Sequence, residues 1–189
     1  ERSLLANKEE KIITHISNFR PLKRILDVIA VFEGILPKVS SKLMMVGEGP
    51  EKIKALEYVK NKGLQEHVLF LGNSNEIDKI LCFSDLFLLP SEKESFGLSA
   101  LEAMAHGVPV ISSDAGGIPE VNQHGVTGYL SEIGNTADMV QNALRLLENE
   151  TQHQLFKNQA LAHAKQFNIE SIVSQYESTY VNATAAIQY

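Results

Sequence analysis

The chain has 189 residues, 44% apolar and 21% charged, with a net charge of −6 and a single cysteine. That size suits one medium domain spanning residues 1–189, large enough to bury a core; the acidic balance argues against nucleic acid as a partner, because such a surface needs a basic face. One thiol excludes an internal disulfide framework and fits a reducing, cytoplasmic setting; no apolar run approaches the ~18 residues of a membrane span, and residues 1–6 lack the apolar centre of a signal peptide.

Strand-like and helix-like patterns alternate from the start. A strand is expected over 12–17, then a helix over 23–36 with Ile25, Val28, Ile29, Phe32 and Ile35 on one stripe. A short strand over 43–46 ends at Gly47, and Pro50 opens a helix running to 62 with Gly63 as its cap. A strand over 67–71 and a short helix over 75–83 follow. The run 85–89 reads as a strand buried on both faces, and 96–106 as a helix stopped by Gly107. A strand over 108–112, a short helix over 118–123 and a strand over 127–130 complete the alternation. Three polar-faced helices, over 137–148, 152–167 and 170 to about 184, close the chain, the last two forming a C-terminal helical segment over 151–189. Repeated βα units imply an α/β fold: a Rossmann-like parallel sheet with helices on both faces. In such sheets ligands sit at the carboxyl ends of the strands. Residues 18–23, 47–50, 72–75, 91–95 and 113–117 all follow strands, so they are expected to converge on one site.

The segment Ser91-Glu92-Lys93-Glu94-Ser95-Phe96-Gly97-Leu98-Ser99-Ala100-Leu101-Glu102 carries the most chemistry. Glu94 precedes a helix start and Glu102 lies on that helix. Free N–H groups at a helix N-terminus favour phosphate oxygens, and carboxylates accept hydrogen bonds from sugar hydroxyls. At ~1.5 Å of rise per residue, Glu102 stands roughly 8 Å along the helix, a diphosphate-plus-ribose reach. Together these groups describe a nucleotide-sugar site. The plainer alternative is a helix capped by Ser95 with a solvated Glu102. Leu101 and Met104 are expected in the core.

Asn18-Phe19-Arg20-Pro21-Leu22-Lys23-Arg24 places cations near a helix start, where they oppose the helix dipole. Fixed beside a diphosphate, such cations would stabilise the charge that grows as a glycosidic bond breaks; Arg24 reads as a solvated neighbour. Gly47-Glu48-Gly49-Pro50 permits a tight turn or a close approach to a ligand. Gly72-Asn73 and Ala115-Gly116-Gly117-Ile118-Pro119-Glu120 read equally well as turns or as backbone donors facing a cleft. The six histidines show no metal-ligand spacing. His15 reads as a satisfied polar residue near a strand end, His106 and His124 as helix-end residues, and Cys82 as buried.

The ordered set of motifs resembles one family across nearly the whole chain. Glu94 through Glu102 is similar to the E-x7-E element of the retaining glycosyltransferases of family 4, with the GT-B fold. Residues 16–24, 46–50, 68–72 and 116–120 fall in that family's order. The resemblance implies one half of a GT-B fold: the C-terminal, donor-binding domain, with the N-terminal acceptor domain absent and the isolated piece inactive. It implies that Glu94 meets the donor sugar and Glu102 the ribose, that the N–H groups of Phe96, Gly97 and Leu98 face the diphosphate, and that Ser95 is among the donor-binding residues. Lys23 matches the family's lysine. Its arginine position aligns with Asn18, and Arg20 is the other candidate for that task. Gly47, Glu48 and Gly49 would line the nucleotide pocket, with Gly72 and Asn73 against the base. The implied reaction is retaining glycosyl transfer from a nucleotide-diphospho-sugar, UDP-GlcNAc above all, with no cofactor and no essential metal. Residues 17–20, 88–98 and 117–121 are similar to bacterial enzymes of bacillithiol synthesis that glycosylate L-malate, a small-molecule acceptor. Two other classes fit the same half: a UDP-sugar 2-epimerase, and a non-catalytic nucleotide-sugar-binding module.

Overall fold

A computed structural model describes residues 2–185; Glu1 and residues 186–189, which the expected single domain includes, lie outside the described residues. Strands β1 (Lys11–Ile16), β2 (Ser41–Val46), β3 (Val68–Gly72), β4 (Leu86–Leu89), β5 (Val110–Ser113) and β6 (Gly128–Ser131) form a 6-stranded sheet. The order is β3-β2-β1-β4-β5-β6 and every pairing is parallel. The order reverses between β1 and β4, the switch point at which doubly wound folds bind ligands. The helices are α1 (Ile25–Ile35), α2 (Lys52–Asn61), α3 (Ile77–Cys82), α4 (Leu98–Ala105), α5 (Ile118–Val121), α6 (Thr136–Leu147), α7 (Glu150–Ala164) and α8 (Ile169–Ala185).

Strand β4 shows why the sheet is covered on both sides. All four of its residues are buried, and successive side chains of a strand point to opposite faces. Leu86 and Leu88 join a core with Ile29, Phe32 and Leu146; Phe87 and Leu89 join another with Ala103, Met104 and Ala160. The expected stripe of α1 is its buried face, Met104 is fully buried, and Leu101 packs against the second core. Helices α6 and α7 start on asparagine caps: Asn135 accepts from the Asp138 N–H at 3.1 Å and Asn149 from the Gln152 N–H at 3.0 Å. No helix of the described residues is long and apolar enough to cross a membrane.

Several boundaries differ from expectation for local reasons. Helix α1 begins at Ile25, because Pro21–Lys23 forms a 3-10 turn and Arg24 follows in a left-handed conformation with φ 51°. Lys23 therefore sits on the turn before the helix. Arg24 is bound to Asp27, its Nε donating to Oδ2 at 2.6 Å, and is not simply solvated. Helix α4 begins at Leu98, with Gly97 at its N-cap (φ 92°) and no side-chain cap, so Ser95 does not cap it. Cys82 is exposed, not buried: Ile80 and Leu81 take the inward positions of the short α3.

Candidate functional site

Two loops leave the switch point. Beyond β1, Phe19 turns fully inward with a positive φ of 32°, which leaves Asn18 and Arg20 exposed on either side of it. The loop after β2 lies directly on this turn. Gly47 has φ 125°, and a Cβ there would stand 1.8 Å from the Ser17 carbonyl oxygen, so a side chain is excluded. The Glu51 N–H donates to the Phe19 carbonyl at 3.0 Å.

Beyond β4, the chain carries Ser91, Lys93 and Glu94 back toward the first loop. The Lys23 ammonium donates to Glu94 Oε1 in a short ion pair. Both side chains are largely buried, at 17% and 12% exposure. The Ser91 hydroxyl donates to the same carboxylate oxygen at 3.1 Å, and the Ser113 hydroxyl donates to the Ser91 carbonyl. The loop after β5 fixes the other side of Glu94. The Gly117 N–H donates to the Glu94 carbonyl at 3.0 Å, and a Cβ on Gly116 would lie 1.9 Å from that oxygen. The cleft between the loops has a volume of about 550 Å³ and is lined by Asn18, Arg20, Leu22, Lys23, Lys93, Glu94, Ser95 and Gly116. Three cations face one carboxylate, so the charge of the cleft favours an anion.

The structure brings Asn18, Arg20, Lys23, Glu94 and Ser95 together in this cleft. Gly47 and Gly49 border it through backbone contacts with residues 17–19, and the Gly47 N–H donates to the Gly72 carbonyl at 2.7 Å. The Glu48 carboxylate instead turns to Lys52 and lies 3.2 Å from the Cβ position of Gly72. Asn73 is exposed beside it. Phe96 packs edge-on against Phe167 with ring centroids 5.8 Å apart, and Leu98 is exposed. Glu102 does not line the cleft. It lies on α4 toward α3, where burial pushes its carboxyl pKa above the usual value and the Asp78 charge pushes the same way, opposed by His106. The His106 imidazole is bonded to the Glu102 carbonyl at 2.9 Å and stands 3.5 Å from the Asp78 carboxylate.

Lys93, Ser91 and Ser113 lie in loops expected to converge on the site, but sequence reasoning assigns none of them an individual role. Lys93 sits between two glutamates and reads as surface charge. Ser91 and Ser113 matter through a contact across 22 positions, which no local pattern reports. His15 is the satisfied strand residue expected: fully buried, bonded to the Leu88 carbonyl and to Ser17, its pKa lowered by burial to about 4. Among the described residues no group of His, Cys, Asp and Glu could hold a metal ion.

A parallel sheet of this strand order, with a cationic cleft at its switch point, defines a doubly wound α/β domain whose cleft lies at the carboxyl ends of its strands. Residues 1–163 match the family described as glycosyl transferases group 1, and the chain belongs to that family. It is 50% identical over 175 residues to N-acetyl-α-D-glucosaminyl L-malate synthase of Bacillus anthracis, covering 92% of this chain and 46% of that protein. It is 32% identical over 170 residues to the poly(ribitol-phosphate) α-N-acetylglucosaminyltransferase of Staphylococcus aureus, covering 88% of this chain and 34% of that protein. Among solved structures, Anabaena HepE in complex with UDP and glucose matches with a TM-score of 0.87 and 26% identity, over 95% of this chain and 50% of that one. A variant of S. aureus TarM in complex with UDP and α-GlcNAc-glycerol matches with a TM-score of 0.84 and 30% identity, over 92% and 37%. The chain spans half or less of the length of these relatives.

Proposed function

We propose that this chain is the donor-binding half of a retaining glycosyltransferase, taking UDP-GlcNAc and serving an acceptor half elsewhere in the same polypeptide, with L-malate as acceptor. The observation that carries the reading is the Lys23–Glu94 pair across the switch point, which sets a cation and a hydroxyl-accepting carboxylate side by side in a cationic cleft. The relative named for GlcNAc transfer to malate, and neighbours holding UDP, support the donor and acceptor assigned. In this reading Lys23, with Arg20 or Asn18, binds the diphosphate and stabilises the negative charge that grows on it as the bond to the sugar breaks. The N–H groups of residues 95–98 at the start of α4 add donors to the same oxygens. These fixed cations take the part that a bound metal plays in other transferases, so no metal is required.

Glu94 receives the sugar hydroxyls. It accepts from Lys23 and Ser91; diphosphate oxygens would compete for the ammonium and release carboxylate lone pairs to the sugar. Glu102 takes the ribose from the α4 side, Gly47, Glu48 and Gly49 flank the nucleotide, and Gly72 and Asn73 meet the base.

The test is a titration of the 189-residue chain with UDP, UDP-GlcNAc, UDP-glucose and GDP-mannose. UDP and UDP-GlcNAc should bind, GDP-mannose more weakly, and the chain alone should not turn over. Failure to bind any uridine nucleotide would overturn the donor reading. Multiple-turnover transfer by the chain alone would overturn the two-half reading.

A further inference from the structure

We infer that His15 is the positioning residue of the cation-bearing loop: through Ser17 and Phe19 it fixes the backbone that carries Asn18 and Arg20 into the cleft. The inference rests on the diphosphate reading above for what that loop binds.

The argument starts at the seam between β1 and β4. Their registered pairs are Ile13 with Leu86 and Thr14 with Phe87. One residue further on, the His15 imidazole reaches the Leu88 carbonyl, with Nδ1 at 2.8 Å. A carbonyl oxygen only accepts, so Nδ1 carries the hydrogen. Burial keeps the ring neutral, against the Leu88 hydrogen bond and with help from the nearby Lys23 charge. Its Nε2 is then an acceptor, and the Ser17 hydroxyl at 2.7 Å must donate to it. Each polar atom of the ring has one assigned task.

Ser17 is the last residue before the loop. Its N–H donates to the Val46 carbonyl at 3.1 Å, and its own carbonyl stands against Gly47. On the far side of Asn18, the Phe19 ring lies nearly parallel to the imidazole, with centroids 6.2 Å apart and an angle of 29°. Phe19 holds a left-handed backbone that non-glycine residues adopt only when their surroundings impose it. Those surroundings are the His15 ring, the edge contact with Phe70 at 6.5 Å and the Glu51 N–H on its carbonyl. The imidazole therefore grips the turn before and after Asn18. With Phe19 pinned inward, Asn18 and Arg20 project outward. His15 itself is fully buried and does not line the cleft, so it acts through these neighbours.

Two variants test this. His15→Phe keeps an aromatic ring and deletes both polar contacts; Ser17→Ala deletes only the hydroxyl and is the milder change should the first fail to fold. Both are titrated with UDP and with uridine, which lacks the phosphates the loop would meet. UDP affinity should fall about tenfold, the equivalent of one charge-assisted contact, while uridine affinity stays unchanged. Unaltered UDP binding in Ser17→Ala, or equal loss of UDP and uridine, would overturn the inference. Nitrogen NMR of the imidazole in the unmodified chain decides it independently of any ligand. A neutral ring protonated on Nδ1 near neutral pH is expected, and protonation on Nε2 would overturn it. If the chain bound no UDP at all, the donor reading would fail while the ring measurement still judged His15.

Discussion

Glu94 accepts hydrogen bonds from the Lys23 ammonium and the Ser91 hydroxyl, and its backbone is clasped by Gly117. Glu102, further along the same segment, faces Asp78 and has His106 as its opposing positive influence. One carboxylate is provided with a cation by the turn after β1, on the other side of the switch point; the other carries its charge at a cost from burial. The difference lies in the loops around each residue, not in the residue type. It teaches that two carboxylates on one short segment can be given opposite surroundings by the loops around them. Glu94 is held by a cation and a hydroxyl, whereas Glu102 sits against burial and the Asp78 charge.

The largest way to break this contrast is Gly116→Ala. The new Cβ would meet the Glu94 carbonyl at 1.9 Å from a backbone with φ 56°, a clash with main chain that cannot move aside. A loss of about 3 kcal/mol of stability is expected in urea denaturation. Gly63→Ala, at φ 68° with nothing within 4 Å, is the control and should cost about 1 kcal/mol. Equal costs would mean that Gly116 does not pack on the Glu94 loop.

Next comes Lys23→Ala, which strips Glu94 of its cation and the proposed diphosphate of a contact. UDP affinity should drop by about 2 kcal/mol in calorimetry with the fold retained. Arg20→Ala and Asn18→Ala measured alongside decide which of these two shares the task. No change in the Lys23 variant would remove it from the phosphate site.

Amidation separates the two carboxylates. Glu94→Gln should weaken UDP-GlcNAc by about 1.5 kcal/mol and UDP by less, because only the sugar needs that acceptor. Glu102→Gln should weaken both ligands alike. Equal losses for both ligands in the Glu94 variant would contradict its assignment to the sugar.

The smallest effect is on pH dependence. Glu102 has a folded-state pKa raised by burial and then by Asp78, so the native state holds its proton more tightly than the unfolded chain does. Its contribution is complete below the ordinary glutamate value and is lost as the pH rises through the raised one. Glu102→Gln should flatten that decline in urea midpoints above the usual carboxylate range. A slope identical to that of the unmodified chain would show that Glu102 titrates normally.

Much of the fold was legible because its signals are local. Helix α1 shows its buried stripe at 3.6 spacing, β4 is apolar on both faces, and every loop of the cleft follows a strand. The gathering of Asn18, Arg20, Lys23, Glu94 and Ser95 was legible for the same reason: strand ends in a parallel sheet share one rim. What escaped depends on distant partners or single backbone angles. The Lys23–Glu94 pair joins residues 71 positions apart. The left-handed Arg24, which detaches Lys23 from α1, carries no compositional mark in a residue type that usually continues helices. Cys82 was assigned inward from its residue type alone, while α3 is so short that Ile80 and Leu81 occupy its inner side. The strain at Phe19 has no signature beyond an aromatic residue in a polar loop.

The strand order has a kinetic consequence. β1, β2 and β3 are joined in sequence, as are β4, β5 and β6, but the central pairing of β1 with β4 bridges the two sets. His15 meets Leu88 across 73 positions, and Lys23 meets Glu94 across 71. Such contacts reward the chain only after a long loop has closed, so they form late. The cleft is the seam of the assembly. A substitution confined to it, such as Lys23→Ala, should speed unfolding and leave refolding almost unchanged, since its ion pair with Glu94 forms after the folding barrier.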